Sequence, residues 1–152
     1  TCRFGYPHIS IAMEGITANM GEFLYMLAKG ETFELKTKKG FQIGVCCVVP
    51  PFPYFDKAEM EIYKDLSIIF KKPSLDGVHL GDVKMTDGNW QIAGESGYVL
   101  VVTASGTTVE DARKQVYGRI ENILLQNMFY RTDIGLGWYE DSDKLQTWGY
   151  LY

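Results

Sequence analysis

The sequence predicts an α+β domain in which helices pack on a small, mostly antiparallel sheet. Three features predict it: an early segment with a helical apolar period, a short apolar run rich in β-branched residues, and closely spaced strand signals followed by a capped helix. The chain has 152 residues, of which 46% are hydrophobic and 22% are charged. This composition is typical of a globular protein, and the length suits one domain with a sizeable core.

The first predicted element is an amphipathic helix within residues 9–30, ISIAMEGITANMGEFLYMLAKG. Its apolar side chains recur at spacings of three and four, as on one face of a helix. These residues are Ile9, Met13, Ile16, Met20, Phe23, Leu24 and Leu27. Gly30 follows the pattern and is expected to end the helix.

The next predicted element is a buried strand at residues 41–49, FQIGVCCVV. A continuous apolar run of this kind is typical of a strand covered on both faces. The following PPFP is expected to end it, because proline cannot donate to a strand ladder. Residues 54–75 show no clear period, and both a short helix around DKAEMEIYKDL and an extended surface segment fit them.

The second half of the chain predicts three strands and then a helix. The strands are expected at 78–85, 90–93 and 98–104, joined by turns at TDGN and GESG into an antiparallel meander. Thr108 is expected to cap the helix, with Asp111 three residues later as in a capping box. The apolar face of this helix consists of Val109, Ala112, Val116, Ile120, Ile123 and Leu124. An irregular aromatic tail is predicted after it.

The charge balance excludes some classes of partner. Lys and Arg total 15 against 19 Asp and Glu, which gives a net charge of -4. An acidic chain is a poor candidate for sequence-independent binding of nucleic acid or anionic lipid. No apolar run approaches the length of a membrane span, and the N-terminus has no signal-peptide pattern. We therefore expect a cytoplasmic protein whose partners are small molecules or other proteins.

The three cysteines favour a reduced, cytosolic protein. Cys46 and Cys47 are adjacent in the predicted strand, so they should point to opposite faces of the sheet. A metal site formed by these two thiols with His8 and His79 is the alternative. No CxxC or HxxxH spacing supports it, so buried thiols and two unrelated histidines are the preferred interpretation.

Local chemistry offers three candidate sites. The turn ASGTT leads into a helix N-terminus that could bind an anion, although capping by Thr108 alone explains it. The glycines of GESG would let a ligand approach the backbone, although such a pair is usually only a turn. Arg131 and Asp133 could orient a substrate, although an ion pair that fixes the C-terminal segment is more common. No catalytic triad, P-loop or zinc motif is present in the sequence.

Residues 98–135 resemble the closing part of the glycinamide ribonucleotide synthetase (phosphoribosylamine-glycine ligase) family. That family has a strand like RVLxVTAxG, a capped helix like TxxEAxxxAY and then FYRxDIG, which compare with YVLVVTASG, TTVEDARKQVY and FYRTDIG here. VHLG at 78–81 resembles the family's FHAG, and CRFGYPH at 2–8 resembles xRFGDPE, which closes its ATP-grasp module. The resemblance implies an α+β C-terminal domain, with residues 1–30 ending the ATP-grasp module and 31–152 forming that domain.

The resemblance also implies a reaction. ATP activates the carboxylate of glycine as an acyl phosphate, and the amine of phosphoribosylamine attacks it, with Mg2+ ions held by the ATP-grasp module. The substrate-binding residues it implies in this chain are Arg3, Gly97, Arg131 and Asp133. The family's metal-binding asparagine aligns with Thr1, so no catalytic residue or metal ligand is assigned here, and no ATP or Mg2+ is expected on this chain alone.

Several family positions have changed in this sequence. The Asp and Glu of RFGDPE are Tyr6 and His8, the GGR motif reads Ser96, Gly97, Tyr98, and the arginine of DIGWR is Gly137. Each change removes a charge. Two functions are therefore considered: the C-terminal part of a diverged ligase that completes the site of missing N-terminal and ATP-grasp parts, or a non-catalytic relative that binds a metabolite or a protein. An uncovered surface would also permit a homodimer.

Overall fold

The structure is a computed structural model that describes residues 5–151. Its helices are α1 (His8–Gly15), α2 (Met20–Lys29), α3 (Lys57–Tyr63), α4 (Val109–Ile120) and α5 (Trp138–Thr147). Its strands are β1 (Phe41–Val48), β2 (Ile69–Phe70), β3 (Val78–Leu80), β4 (Val83–Thr86), β5 (Asn89–Ile92), β6 (Tyr98–Gly106) and β7 (Ile123–Leu124). The predicted α+β fold is confirmed. No helix among these residues is both long and apolar enough to cross a bilayer.

The main sheet has three antiparallel strands in the order β1-β6-β3. Helices α1 and α4 both contact β1 and β6. They cover opposite faces of the sheet. A Cβ at Gly44 of β1 would contact Ile11 of α1, whereas the preceding residue, Ile43, lies near Gly135 together with Val109 of α4. Successive residues of a strand point to opposite faces. The sheet is thus the middle layer of three, as the apolar run of β1 predicts.

The core lies mainly between the sheet and α4. Its fully buried members include Val45, Cys47, Leu100, Val102 and Ile120. Cys46 is only half-buried, and burial raises the pKa of both thiols, that of Cys47 to about 12. The two thiols are therefore protonated near neutral pH and differ in burial as their alternation predicts.

Helix α4 begins as predicted. The Thr108 side chain accepts a hydrogen bond from the backbone N–H of Asp111 at 3.1 Å. Its buried face contains Val109, Ala112, Val116 and Ile120. The helix ends earlier than expected, because Ile123 and Leu124 leave it to form β7, which pairs with β2.

Replacing Thr108 by alanine should lower the free energy of unfolding by about 1 kcal/mol, because one N–H of the first turn of α4 loses its acceptor. The midpoint of urea denaturation measures this change. Thr108→Ser keeps the hydroxyl and serves as the control. An unchanged midpoint for Thr108→Ala would mean that the cap does not stabilise the helix.

The prediction of a single N-terminal helix within residues 9–30 is wrong. The chain forms two helices, α1 and α2, because Ile16 is extended and pairs with Thr37. Asn19 then starts α2 by accepting a hydrogen bond from the N–H of Glu22. Gly30 ends α2 in the left-handed conformation, as predicted. Helix α2 has no buried residue, so its apolar period does not reflect packing within the described chain.

The predicted strand at 78–85 is also two strands. Gly81 and Asp82 interrupt it, so β3 pairs with β6 while β4 pairs with β5. The prediction of a meander is therefore wrong, because β6 lies in the centre of the main sheet and pairs with both β1 and β3. The hairpin turn at TDGN is confirmed, with positive φ at both Asp87 and Gly88.

The two remaining regions are more regular than the sequence indicates. Within 54–75, Asp56 caps the short helix α3 and Ile69 and Phe70 form β2. The C-terminal tail contains α5, so the prediction of an irregular tail is wrong. No residue of α5 is buried, which explains why no apolar period marks it.

Candidate functional site

A cavity of about 250 Å3 lies where the start of α1 meets β3 and β6. Its lining comes from three segments that are far apart in the sequence: residues 5–7 with Ile9 and Ser10, residues 79–81, and Tyr98 with Val101. These are the segments that carry the motifs CRFGYPH and VHLG and the start of YVLVVTASG. The fold therefore gathers the separate motif positions around one cavity.

The aromatic wall of the cavity is formed by two of the changed positions. The rings of Tyr6 and Tyr98 lie 4.3 Å apart, and Phe52 packs beside Tyr98 at 5.6 Å. The Tyr98 hydroxyl lies 3.7 Å from the sulfur of Cys46, and burial raises the pKa of this tyrosine well above its ordinary value. At this wall the chain therefore offers neutral aromatic surface.

A buried polar network adjoins the cavity, and Glu14 of α1 is its centre. One carboxylate oxygen accepts hydrogen bonds from Ser105 at 2.7 Å and from Lys38 at 2.9 Å, and the other accepts from Thr103 at 3.0 Å. Nη1 of Arg119 in α4 lies 3.7 Å from this second carboxylate oxygen of Glu14. Only 10% of the Glu14 side chain is exposed. Burial raises the pKa of Glu14, but these hydrogen bonds and Lys38 outweigh burial and place it below its ordinary value.

His79 links this network to the cavity. It lines the cavity, and its Nε2 lies 3.0 Å from Oγ1 of Thr103. Burial lowers the pKa of His79, and the nearby Glu14 opposes this effect only in part. The imidazole is therefore mainly neutral near pH 7, and a chain of hydrogen bonds runs from Glu14 through Thr103 to His79.

The stability of the chain should fall as the pH is lowered from 7 to 4. The pKa of His79 lies below its ordinary 6.5 and that of Glu14 below its ordinary 4.5, so in the unfolded chain both groups bind protons at higher pH. Their stabilising contributions are present above those ordinary values and are lost as the pH falls. Urea denaturation at several pH values measures the decline. In the His79→Asn variant, the free energy of unfolding should fall less between pH 7 and 5. The same decline in the variant and in the unaltered chain would contradict the assignment of this decline to His79.

The loop GESG is held by a buried carboxylate. Asp82 accepts hydrogen bonds from the backbone N–H groups of Glu95, Ser96 and Gly97 at 2.7 to 3.0 Å. Only 6% of Asp82 is exposed. Gly97 has a φ of +69°, and a Cβ there would lie 2.6 Å from the carbonyl oxygen of Val49. The structure gives Gly97 a backbone role, and Gly97 is not among the residues that line the cavity in the described chain.

Arg131 and Asp133 pair with each other rather than with the rest of the fold. Their two hydrogen bonds are 2.9 and 2.5 Å long, but the side chains are 73% and 50% exposed. The tail is fixed instead from α4, where Arg113 donates to the carbonyl groups of Thr132 and Ile134 and Tyr117 donates to that of Arg131. The expectation that the pair fixes the tail is therefore wrong. Arg3 lies outside the described residues.

A larger cleft of about 800 Å3 runs beside α4. Its charged lining mixes both signs, with Lys71, Lys72 and Lys114 beside Asp76 and Asp111. It shares no lining residue with the cavity around His79. The cleft is lined by Val78 and by residues of α4 such as Asp111, whereas three motif-bearing segments that are far apart in the sequence meet at the smaller cavity. The smaller cavity is therefore the better candidate site.

The comparison with known families decides the assignment. A family model described as "Phosphoribosylglycinamide synthetase, C domain" matches residues 42–137, which is more than half of the chain. The chain belongs to this family. The phosphoribosylglycinamide synthetase C domain thus includes β1, β6 and α4, and the cavity lies between this region and α1.

Individual proteins similar to this chain support the same family assignment. The chain is 30% identical over 142 residues to the phosphoribosylamine–glycine ligase of Caulobacter vibrioides and 27% identical over 135 residues to the chloroplastic ligase of Arabidopsis thaliana. Each match covers 88% of this chain but only 31% and 25% of the relative. The crystal structure of the Thermotoga maritima ligase has the same fold, with a TM-score of 0.66 at 23% identity, over 86% of this chain and 31% of that one. The chain therefore spans between a quarter and about three tenths of the length of these relatives.

Sequence reasoning missed the polar network. Glu14 and Thr103 are 89 residues apart, and Glu14 and Ser105 are 91 apart. No local spacing could have connected them. The only available signal was a glutamate on the apolar, helical segment of α1, which needs a polar partner when it is buried.

Proposed function

We propose that this chain is the C-terminal part of a phosphoribosylamine–glycine ligase and forms one wall of its substrate site. The observation that carries the proposal is the convergence of three motif segments, around Tyr6, His79 and Tyr98, on one cavity. The family assignment supports it, since the curated relatives are ligases of this name. The protein is proposed to be cytoplasmic and to act in purine biosynthesis.

The remaining parts of the ligase are the proposed partners. Residues 1–30 would end the ATP-grasp module and residues 31–152 would form the C-terminal domain. Helix α2 offers a surface for such a contact, because Leu24 and Leu27 are 54% and 61% exposed. The same surface would serve a homodimer. Arg3, Gly97, Arg131 and Asp133 stay proposed substrate-binding residues, of which the exposed pair is free to meet another part of the ligase.

ATP and Mg2+ would be held outside this chain. Among residues 5–151 no group of three or more His, Cys, Asp or Glu side chains is arranged to bind a metal ion. Magnesium is usually bound by one or two carboxylates together with substrate phosphates. We assign no metal ligand to this chain, and the chemistry proposed for it is limited to its cavity.

A chimera tests the proposal. This chain would replace the matching part of the Thermotoga maritima ligase, and formation of glycinamide ribonucleotide from glycine, phosphoribosylamine and ATP would be measured. We expect activity above that of the truncated ligase without its C-terminal part. A folded chimera with no activity would contradict the proposed function.

The 152-residue chain alone should not bind Mg-ATP. Micromolar affinity requires about 8 kcal/mol, and a single arginine such as Arg3 contributes only about 1.5 to 3 kcal/mol as a charged hydrogen bond. Titration calorimetry with Mg-ATP measures this directly, with the intact Thermotoga maritima ligase as the positive control. Micromolar one-to-one binding would overturn the assignment of the nucleotide site to another part of the ligase.

The contact between Tyr6 and Tyr98 favours a second candidate. Both positions carry charge in the motifs of the ligase family and have lost it here, and their rings now lie 4.3 Å apart. The second candidate is a non-catalytic relative that binds a metabolite or a protein at this aromatic wall. It predicts an inactive chimera in which Tyr6→Asp together with Tyr98→Arg restores activity. Full activity of the unaltered chimera would exclude it.

A further inference from the structure

The hydrogen bonds around Thr103 fix the protonation state of His79. The Thr103 hydroxyl has one hydrogen, and two acceptors lie within reach, the Glu14 carboxylate at 3.0 Å and the carbonyl group of Gly77 at 3.2 Å. Neither acceptor can donate a hydrogen bond, so the Thr103 hydroxyl donates its hydrogen to one of them. The oxygen of Thr103 must then accept its bond from His79. The imidazole therefore carries its hydrogen on Nε2, and Nδ1 has a free lone pair.

The Nδ1 atom of His79 makes no hydrogen bond with residues 5–151, and His79 is only partly buried. Because His79 lines the cavity, a ligand there meets a neutral imidazole with its basic nitrogen open. The other described histidine, His8, is exposed, and its Nδ1 is hydrogen-bonded to the carbonyl oxygen of Gly5 at 3.1 Å.

We infer that His79 is the general base of the ligation, taking the proton from the amino group that attacks the activated carboxyl group. This inference rests on the proposed function, which supplies both reactants. The amine nitrogen forms a bond to the carboxyl carbon while the bond from that carbon to its phosphate oxygen breaks. The phosphate leaves with the electron pair, and the N–H proton moves to Nδ1 of His79. All atoms and charges are thereby accounted for.

Thr103 and Glu14 act as positioning residues for this step. When His79 gains a proton, its Nε2–H remains bonded to Thr103, whose hydroxyl oxygen lies 3.0 Å from the Glu14 carboxylate. The negative charge of Glu14 favours the imidazolium, whereas Arg119 and Lys38, which both contact Glu14, temper that effect. Among the described residues, the lining of the cavity places no acidic or basic side chain besides His79 itself near the imidazole. A base with a lowered pKa is ready to accept a proton at neutral pH.

The tautomer can be measured on the 152-residue chain without any substrate. The sequence contains two histidines, so a 15N-histidine spectrum shows two imidazoles, and His8→Asn leaves only His79. We expect a protonated Nε2 and an unprotonated Nδ1 at pH 7. Thr103→Val should give a mixture of tautomers, and Thr103→Ser should restore the original one. An Nδ1-protonated tautomer or an imidazolium at pH 7 would overturn the inference.

The catalytic role is tested in the chimera with the Thermotoga maritima ligase. His79→Asn should lower kcat by about 100-fold to 10,000-fold, the usual effect of a general base, and should remove the acidic limb of the pH profile of kcat/KM. His8→Asn is the matched control and should change neither. If the unaltered chimera is inactive, the proposed function fails, and the role of His79 fails with it. If the chimera is active and His79→Asn keeps its kcat and pH profile, only the inference about His79 is overturned.

Discussion

Replacing Asp82 by alanine should lower the free energy of unfolding by about 4 kcal/mol, because it removes a charged acceptor from several N–H groups at once. A charged hydrogen bond contributes about 1.5 to 3 kcal/mol, and such contributions are not additive within one group. The Asp82 carboxylate accepts from three consecutive N–H groups, and its removal leaves them without this acceptor in a partly buried site. Without them the turn between β5 and β6 loses its anchor.

Urea denaturation of the 152-residue chain measures this change. Glu95→Ala is the matched control, because it removes an exposed carboxylate from the same loop and should change the free energy of unfolding by less than about 0.5 kcal/mol. Asp82→Asn keeps one oxygen acceptor and should fall between the two. A loss below about 1 kcal/mol for Asp82→Ala would show that the loop is held by other contacts.

Replacing Gly97 by alanine should lower the free energy of unfolding by about 3 kcal/mol. The left-handed conformation alone costs a non-glycine residue about 1 to 2 kcal/mol. The additional clash arises because the new Cβ would lie 2.6 Å from the carbonyl oxygen of Val49, a backbone atom that cannot rotate away. The loop must therefore shift, which also disturbs its bonds to Asp82.

Gly88 provides the matched control for Gly97. Its φ is +78°, close to that of Gly97, but no atom lies within 4 Å of the position that a Cβ would take. Gly88→Ala should therefore show only the conformational cost of about 1 to 2 kcal/mol. The difference between the two substitutions, measured by thermal or urea denaturation, isolates the clash. Equal losses would contradict it.

The elements that sequence reasoning placed well are those whose signal is local and agrees with the packing. Strand β1 is an apolar run that ends at prolines, and α4 has both a cap at Thr108 and a buried apolar face. The errors arose where tertiary contacts act. The period of residues 9–27 continues across Ile16, yet the pairing of Ile16 with Thr37 divides the helix. The break between β3 and β4 at Asp82 serves a contact with the GESG loop, which no pattern within 78–85 shows.

The candidate site was predictable in its segments but not in its chemistry. The motif resemblance indicated residues 2–8, 78–81 and 96–98, and the segments at Tyr6, His79 and Tyr98 do meet. It gave no sign that Glu14 and Thr103 orient His79, because contacts between residues so far apart depend on how α1 docks on the sheet. It also could not show that two changed positions, Tyr6 and Tyr98, are neighbours in space.

The central place of β6 has a consequence for how the protein is made. Val48 at the end of β1 pairs with Tyr98 at the start of β6, 50 positions later in the chain. At a synthesis rate of about 5 to 20 residues per second, roughly 3 to 10 seconds pass between the translation of Val48 and that of its partner Tyr98. During that time the segment FQIGVCCVV has no strand of the main sheet beside it, since β3 pairs only with β6. An apolar unpaired strand of this kind is prone to aggregate, so the nascent chain is most vulnerable until residue 106 has left the ribosome.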